Sequence, residues 1–389
     1  MRIAILLFNM PLSKLCGSSR FTTQTANKLA KMGHDVTVIA NKDSYPPENN
    51  FRYLQVDTPP YGSWRNCLSD EESFLSTIYK YLEVLFKAHR EYKFDILHVQ
   101  HLLFSTIIAS IFKDTFGIPF VATCHGTETF ESDGNMRMQR FFRYAENASH
   151  ITADSDTIID DIHKFISFSA NKVSVVNTAV DIKKFHQSAD LRAITRKNLR
   201  FKPSDRVLLY AGRLVQEKGI LEVPHIYKNL LQSHQNLKLL IVGDGPMRPN
   251  LEKSLSQLGL LNENCKLMGF VHPDSMPDYY NASDVFLMPS LWNEPFATAS
   301  LEAMACGCVV VAYARGGVAK MLQNRGFESL VSKQGNIEDF VDKVGELLSS
   351  QAKMSDYSRK LQNLVRDNLS WEISTLKLVT IYNDVLKYV

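Results

Sequence analysis

Short, nearly continuous apolar runs recur along the chain and alternate with stretches whose apolar positions fall at helical spacing. The runs cover residues 2–8, 35–40, 94–99, 119–124, 150–153 and 172–176, then resume at 206–210, 238–242, 265–267, 284–288, 308–312 and 328–331. Unalternating runs of this length suit strands covered on both faces, and the helical stretches between them suit crossovers. The pattern predicts an α/β protein with two series of parallel strands, about six in each. Three helices stand out: 20–32, closed by Gly33; 247–258, closed by Gly259; and 371–389, with Ile373, Leu376, Val379, Tyr382 and Leu386 at helical spacing. Residues 177–203 are polar, charged and poor in regular apolar pattern, and mark the boundary between the series. The reading is two Rossmann-like domains, 1–185 and 186–370, facing each other, with ligands bound beyond the carboxyl ends of the strands in the cleft.

The length of 389 residues fits two such domains and exceeds one ordinary core. A net charge of +3 excludes a nucleic-acid binder driven by bulk charge. The apolar run 3–8 is too short for the core of a signal peptide, and 102–112 is interrupted by Ser105, Thr106 and Ser110 and falls far short of a membrane span. A cytoplasmic protein is expected, with peripheral membrane contact left open. The six cysteines, Cys16, Cys67, Cys124, Cys265, Cys306 and Cys308, have no zinc-finger spacing and read as reduced, small buried thiols.

The most informative segment is 293–304, Asn-Glu-Pro-Phe-Ala-Thr-Ala-Ser-Leu-Glu-Ala-Met, which follows a strand and opens a helix. Pro295 suits the helix entry, leaving amides at Phe296, Ala297 and Thr298 aimed out of the N-terminus, where a phosphate binds. Glu294 and Glu302 then suit sugar and ribose hydroxyls. A dipole-stabilising Glu294 and a solvated Glu302 explain the pattern equally well on physical grounds.

Glu294-x7-Glu302 in this setting resembles the signature of the retaining glycosyltransferases of family 4, which have the GT-B fold. The resemblance spans nearly the whole chain. Gly212-Arg213-Leu214 with Glu217-Lys218-Gly219 is similar to the family's diphosphate-binding stretch, which implies that Arg213 and Lys218 neutralise the leaving group. Gly243-Asp244-Gly245-Pro246 and Gly269-Phe270-Val271 resemble family segments near the nucleotide, and Gly316-Gly317 also fits. Cys16-Gly17-Ser18-Ser19-Arg20 resembles the family's first glycine turn, with Cys16 in place of one glycine and Gly17 kept. Ser18 and Arg20 are expected on the acceptor side. Thr123-Cys124-His125-Gly126-Thr127-Glu128 resembles the His-Gly-Thr motif, which places His125 beside the reacting sugar and leaves Glu128 to orient the loop or acceptor. The helix 371–389 resembles the family's last helix, which packs back on the first domain. Ala297, where glycine is common, and Asn177-Thr-Ala-Val-Asp181 depart from the pattern.

The resemblance implies transfer of a sugar from a nucleoside-diphosphate sugar to an acceptor hydroxyl with retention of configuration. A UDP-sugar is the leading expectation, with GDP- and ADP-sugars as alternatives. The assigned groups are catalytic His125, Arg213, Lys218 and Glu294, and donor-binding Gly17, Gly243, Val271, Phe296, Ala297, Thr298 and Glu302. No metal or other cofactor is expected. Asp154-Ser155-Asp156 resembles a metal-binding triplet, but its place between strand and helix favours N-capping. His98 and His101 read as structural or acceptor-side groups. Arg137, Arg140 and Arg143, spaced i, i+3, i+6, suit either an anionic lipid or acceptor, or a solvated helix face. The aromatic stretch 61–81 is placed at the lip of the acceptor cleft. Acceptors from saccharides to lipid-linked glycans and small molecules fit equally. A nucleotide-sugar epimerase and a catalytically silent nucleotide-sugar binder are the alternatives. An NAD dehydrogenase is disfavoured because no Gly-x-Gly-x-x-Gly opens the first helix.

Overall fold

The computed structural model describes residues 1–8, 10–12, 17–43, 49–58 and 70–388. Cys16, Cys67 and positions 61–69 of the aromatic stretch lie outside them. The chain forms two compact units, Met1–Thr178 with Trp371–Val389, and Ala179–Ser370.

The first unit holds a seven-stranded sheet ordered β3-β2-β1-β4-β5-β6-β7. The strands are β1 (Arg2–Leu7), β2 (Asp35–Asn41), β3 (Arg52–Val56), β4 (Ile96–Gln100), β5 (Phe120–Cys124), β6 (His150–Ala153) and β7 (Val173–Val175). Every pairing is parallel. The second unit holds β10-β9-β8-β11-β12-β13, also parallel throughout. These are β8 (Arg206–Ala211), β9 (Leu237–Val242), β10 (Cys265–Gly269), β11 (Val285–Met288), β12 (Val309–Tyr313) and β13 (Val331–Ser332). In both units the order reverses beside the first strand, β1 or β8, so the loops after the central strands gather at one sheet end.

The cores follow the apolar runs. β1 buries five of its six residues, and β4, β5 and β12 are buried throughout. One strand was not visible in the pattern: β3, an edge strand whose Arg52 and Gln55 break the apolar run. Two expectations need correction. Residues 179–185 belong to the second unit, because Val180 donates its amide to the Leu369 carbonyl and Phe185 joins that unit's core. The polar stretch also contains the helix Ala189–Asn198, whose buried positions are Thr195 and Arg196. Arg196 is held by the carbonyls of Ala282, Lys202, Pro203 and Asp205 and by the Asp284 carboxylate at 2.8 Å, so this helix is anchored by a satisfied charge and carries no apolar stripe to read.

The last helix, Trp371–Leu386, packs on the first unit. Trp371 meets Phe21 edge-on at 5.7 Å, the Ser374 hydroxyl donates to the Asn177 carbonyl, and Glu372 pairs with Lys28. Among the described residues no helix is long and apolar enough to cross a membrane. The arginine stretch does not form one α-helical face: a short turn, Met136–Gln139, passes into the 3₁₀ helix Arg140–Asn147. Its three arginines are exposed, and Arg137 pairs with Glu71. The described part of the aromatic stretch lies mostly in the helix Glu71–Tyr92.

Candidate functional site

In the second unit, two loops at the carboxyl ends of β8 and β11 are stapled together. Leu291 N–H donates to the Glu217 carbonyl at 2.8 Å. Gly219 makes this approach feasible: its φ is +68°, and a Cβ there would sit 1.7 Å from the Pro289 carbonyl oxygen. The staple brings Lys218 against Glu294, and the two form an ion pair although 76 residues separate them in sequence. The Ser290 hydroxyl donates to the other Glu294 oxygen at 3.1 Å. The Glu294 backbone is clamped from behind, since its carbonyl accepts the Gly317 amide at 2.9 Å and a Cβ on Gly316, φ +84°, would fall 2.5 Å from that oxygen. Lys218 remains partly exposed beside the Trp292 ring, 5.9 Å from its centroid. Arg213 follows β8, is exposed, and makes no ion pair among the described residues.

The helix after this loop is Thr298–Ala305, with Ala297 at its N-cap. Pro295 and Phe296 therefore precede it, and of the three expected amides only Thr298 belongs to its first turn. Phe296 is instead buried in the core. Glu302 is buried within the helix and accepts from the Tyr280 hydroxyl at 2.9 Å, which is not the solvated position that the alternative reading required. Gly243 ends the β9 turn with its amide on the Gly269 carbonyl at 2.8 Å, and Val271 lies half-buried after β10. A positive end of a helix, two cations and a carboxylate at the strand termini form an arrangement suited to a phosphate ester with a hydroxyl-bearing group attached.

In the first unit, His125 follows β5 and is 8% exposed. Its Nδ1 lies 3.1 Å from Asp154 Oδ2 and its Nε2 2.9 Å from Gln100 Oε1. Burial works against charging this ring, but Asp154 and, beyond it, Glu128 outweigh burial and raise its pKa. Glu128 is fully buried and accepts from His101 Nδ1 and from the amides of Leu102 and His125. Burial alone would raise its carboxyl; pairing with His101, then His125, holds it down to about 2. Glu128 thus fixes the loop from inside and offers no surface to an acceptor. His98 is also fully buried, with burial first and His125 second pushing its pKa down to about 3.

Asp154 corrects an expectation. Ser155, not Asp154, holds the N-cap position of Asp156–Ile162, no side chain caps that helix, and the Asp154 carboxylate is spent on His125. Sequence reasoning missed Asp154 and Gln100 as site residues; their positions at the ends of β6 and β4, adjacent to the end of β5, were the available signal. Gly17 opens the helix Gly17–Lys31, and among the described residues no atom beyond its chain neighbours and its own helix backbone lies within 4 Å of where its Cβ would be. Ser18 is buried with its hydroxyl on the Met10 sulfur at 3.3 Å, and Arg20 is half-buried on the same helix. Among the described residues no three His, Cys, Asp or Glu side chains group as a metal site.

Residues 16–184 match the family described as Glycosyltransferase Family 4, and residues 192–363 match Glycosyl transferases group 1. An uncharacterized glycosyltransferase of Methanocaldococcus jannaschii is 25% identical over 339 residues, covering 83% of each chain. Sucrose-phosphate synthase from Thermosynechococcus elongatus superposes with a TM-score of 0.81 at 20% identity over the whole of both chains. Anabaena HepE in complex with UDP-glucose does so at 0.76 and 18% identity, covering 99% of this chain and all of that one. With its two parallel-sheet units, each matched by one half of the same enzyme architecture, the chain belongs to the family 4, group 1 glycosyltransferases of GT-B fold.

Proposed function

We propose that the protein transfers a sugar from a nucleoside-diphosphate sugar to an acceptor hydroxyl and retains the anomeric configuration. The carrying observation is the Lys218–Glu294 pair at the strand ends of the second unit, with the exposed Arg213 after β8. Lys218 and Arg213 are assigned the diphosphate, aided by the amide end of Thr298–Ala305. Lys218 then exchanges Glu294 for phosphate oxygens, and the released carboxylate accepts from hydroxyls of the donor sugar. Glu302, with one oxygen on Tyr280, is assigned the ribose. A UDP-sugar is the leading donor, supported by the UDP-glucose complex of the similar Anabaena protein.

In the reaction the bond from the sugar C1 to the diphosphate oxygen breaks as the acceptor oxygen bonds to C1 on the same face. The acceptor proton passes to a departing phosphate oxygen, whose charge the two cations stabilise. His125 is assigned to the reacting sugar.

The test is a thermal-shift screen against UDP, GDP and ADP, followed by acceptor trials with the nucleotide sugar that matches the hit. Binding to the folded state raises the melting temperature. One nucleotide is expected to shift it, Arg213→Ala to reduce that shift, and the product's anomeric signal in NMR to match the donor's. A product with inverted configuration, or a sugar rearranged without any acceptor, overturns the proposal.

A further inference from the structure

A continuous buried hydrogen-bond chain links the last helix to His125. The Tyr382 hydroxyl lies 2.6 Å from His98 Nδ1. His98 Nε2 lies 2.6 Å from the Thr123 hydroxyl and 3.3 Å from Gln100 Nε2. The Gln100 oxygen lies 2.9 Å from His125 Nε2, and His125 Nδ1 lies 3.1 Å from Asp154. None of these polar side chains is more than 8% exposed, and Tyr382 is fully buried.

The orientation of the Gln100 amide places the protons. With the Gln100 nitrogen oriented toward His98, that nitrogen donates, and His98 Nε2 accepts from it and from the Thr123 hydroxyl, which in turn accepts from Thr152. A neutral His98 then carries its proton on Nδ1 and donates to Tyr382. In the same orientation Gln100 presents its oxygen to His125, and an oxygen only accepts. His125 Nε2 is therefore protonated. Its Nδ1 faces the Asp154 carboxylate and is protonated too.

We propose that Gln100 and Asp154 are positioning residues that hold His125 as an imidazolium with both N–H groups engaged, and that Tyr382 fixes the Gln100 orientation through His98. Among the described residues the charged groups facing His125 are Asp154 from the end of β6 and Glu128 from its own loop, and the neutral ring of His98 on β4, His101 at 5.0 Å and Phe21 at 5.1 Å lie beside it. The raised His125 pKa agrees with this balance. An imidazolium cannot take the acceptor's proton, so in the proposed reaction, on which this role for His125 rests, the ring supplies positive charge and the phosphate is the base.

The clamp is tested without turnover, by ring ¹⁵N NMR of the full-length protein labelled at histidine, with the His125 signal identified by its loss in His125→Gln. His125 is expected to stay doubly protonated above the ordinary midpoint near 6.5, and His98 to stay neutral with its proton on Nδ1. Asp154→Asn is expected to bring the His125 midpoint below 6.5, because burial then prevails. Tyr382→Phe keeps the ring's packing and frees His98 to change tautomer, so the amide of Gln100 turns over and the His125 midpoint falls by roughly half a unit or more. A His125 midpoint unmoved by either substitution, or a proton on Nε2 of His98, overturns the clamp. The same variants separate it from the proposed reaction. Normal titrations without sugar transfer to any acceptor refute the reaction and leave the clamp standing. An alkaline limb of kcat/KM that moves with the His125 midpoint in Asp154→Asn supports both.

Discussion

In the first unit the candidate histidine sits in a loop held from within: Asp154 and Gln100 hold the ring, and Glu128 takes two backbone amides and His101. In the second unit the candidate groups stand on glycine-turned loops, with Lys218 and Glu294 holding each other and Arg213 turned to solvent. The first arrangement is costly to disturb and changes little when a ligand arrives. In the proposed reaction the second is a charge pair that an incoming diphosphate opens, because the phosphate offers Lys218 what Glu294 offered it. Preorganisation is thus achieved by side chains in one unit and by backbone in the other.

This contrast can be broken most severely at Glu294. Glu294→Ala is expected to lower turnover by about a thousandfold while moving the melting temperature by only a few degrees, measured by steady-state kinetics beside a thermal melt. If Glu294 is only a structural partner of Lys218, activity and stability will fall together. Next comes the backbone. Gly219→Ala forces a Cβ into the Pro289 carbonyl at a positive φ, and urea unfolding should show a loss of about 3 kcal/mol, whereas Gly17→Ala, which meets no other element among the described residues, should cost little stability.

The first unit is sharpened by Glu128→Gln, expected to cost about 2 kcal/mol at neutral pH through a weakened buried network. The sign of its pH dependence follows from the depressed carboxyl. Glu128 contributes its stability fully above its ordinary value of 4.5 and loses it as pH falls toward about 2, so the variant's acid unfolding curve should be flatter over that interval. The smallest effect belongs to Arg213→Ala: nucleoside-diphosphate affinity should fall about tenfold by calorimetry with the melting temperature of the free protein unchanged. A drop in the free protein's melting temperature would show that Arg213 has a structural partner.

Most of the fold was legible because buried parallel strands need continuous apolar runs, and runs such as 2–8 and 119–124 have no other use. What escaped was held by polar groups. β3 is an edge strand carrying Arg52 and Gln55, and Ala189–Asn198 is anchored by a buried arginine. The candidate site was legible at Arg213, Lys218, Glu294 and His125 only as separate motifs. The Lys218–Glu294 contact needs a tertiary staple across 76 residues. Asp154 looked like a metal or capping triplet because sequence shows its neighbours on the chain, not its neighbour on the next strand. Gln100 carries no motif at all; its meaning arises only from the two histidines its amide bridges.

The helix Trp371–Leu386 packs on a unit whose other residues end at Thr178, so the second unit is in effect inserted within the first. During synthesis the segment Ala179–Ser370 is contiguous and can close its core as soon as it leaves the ribosome. The first unit, although translated earlier, must wait for Trp371 to cover Phe21 and for Tyr382 to reach His98. A chain released before Trp371 would therefore hold a finished second unit and an unfinished first, with the histidine loop lacking its last partner.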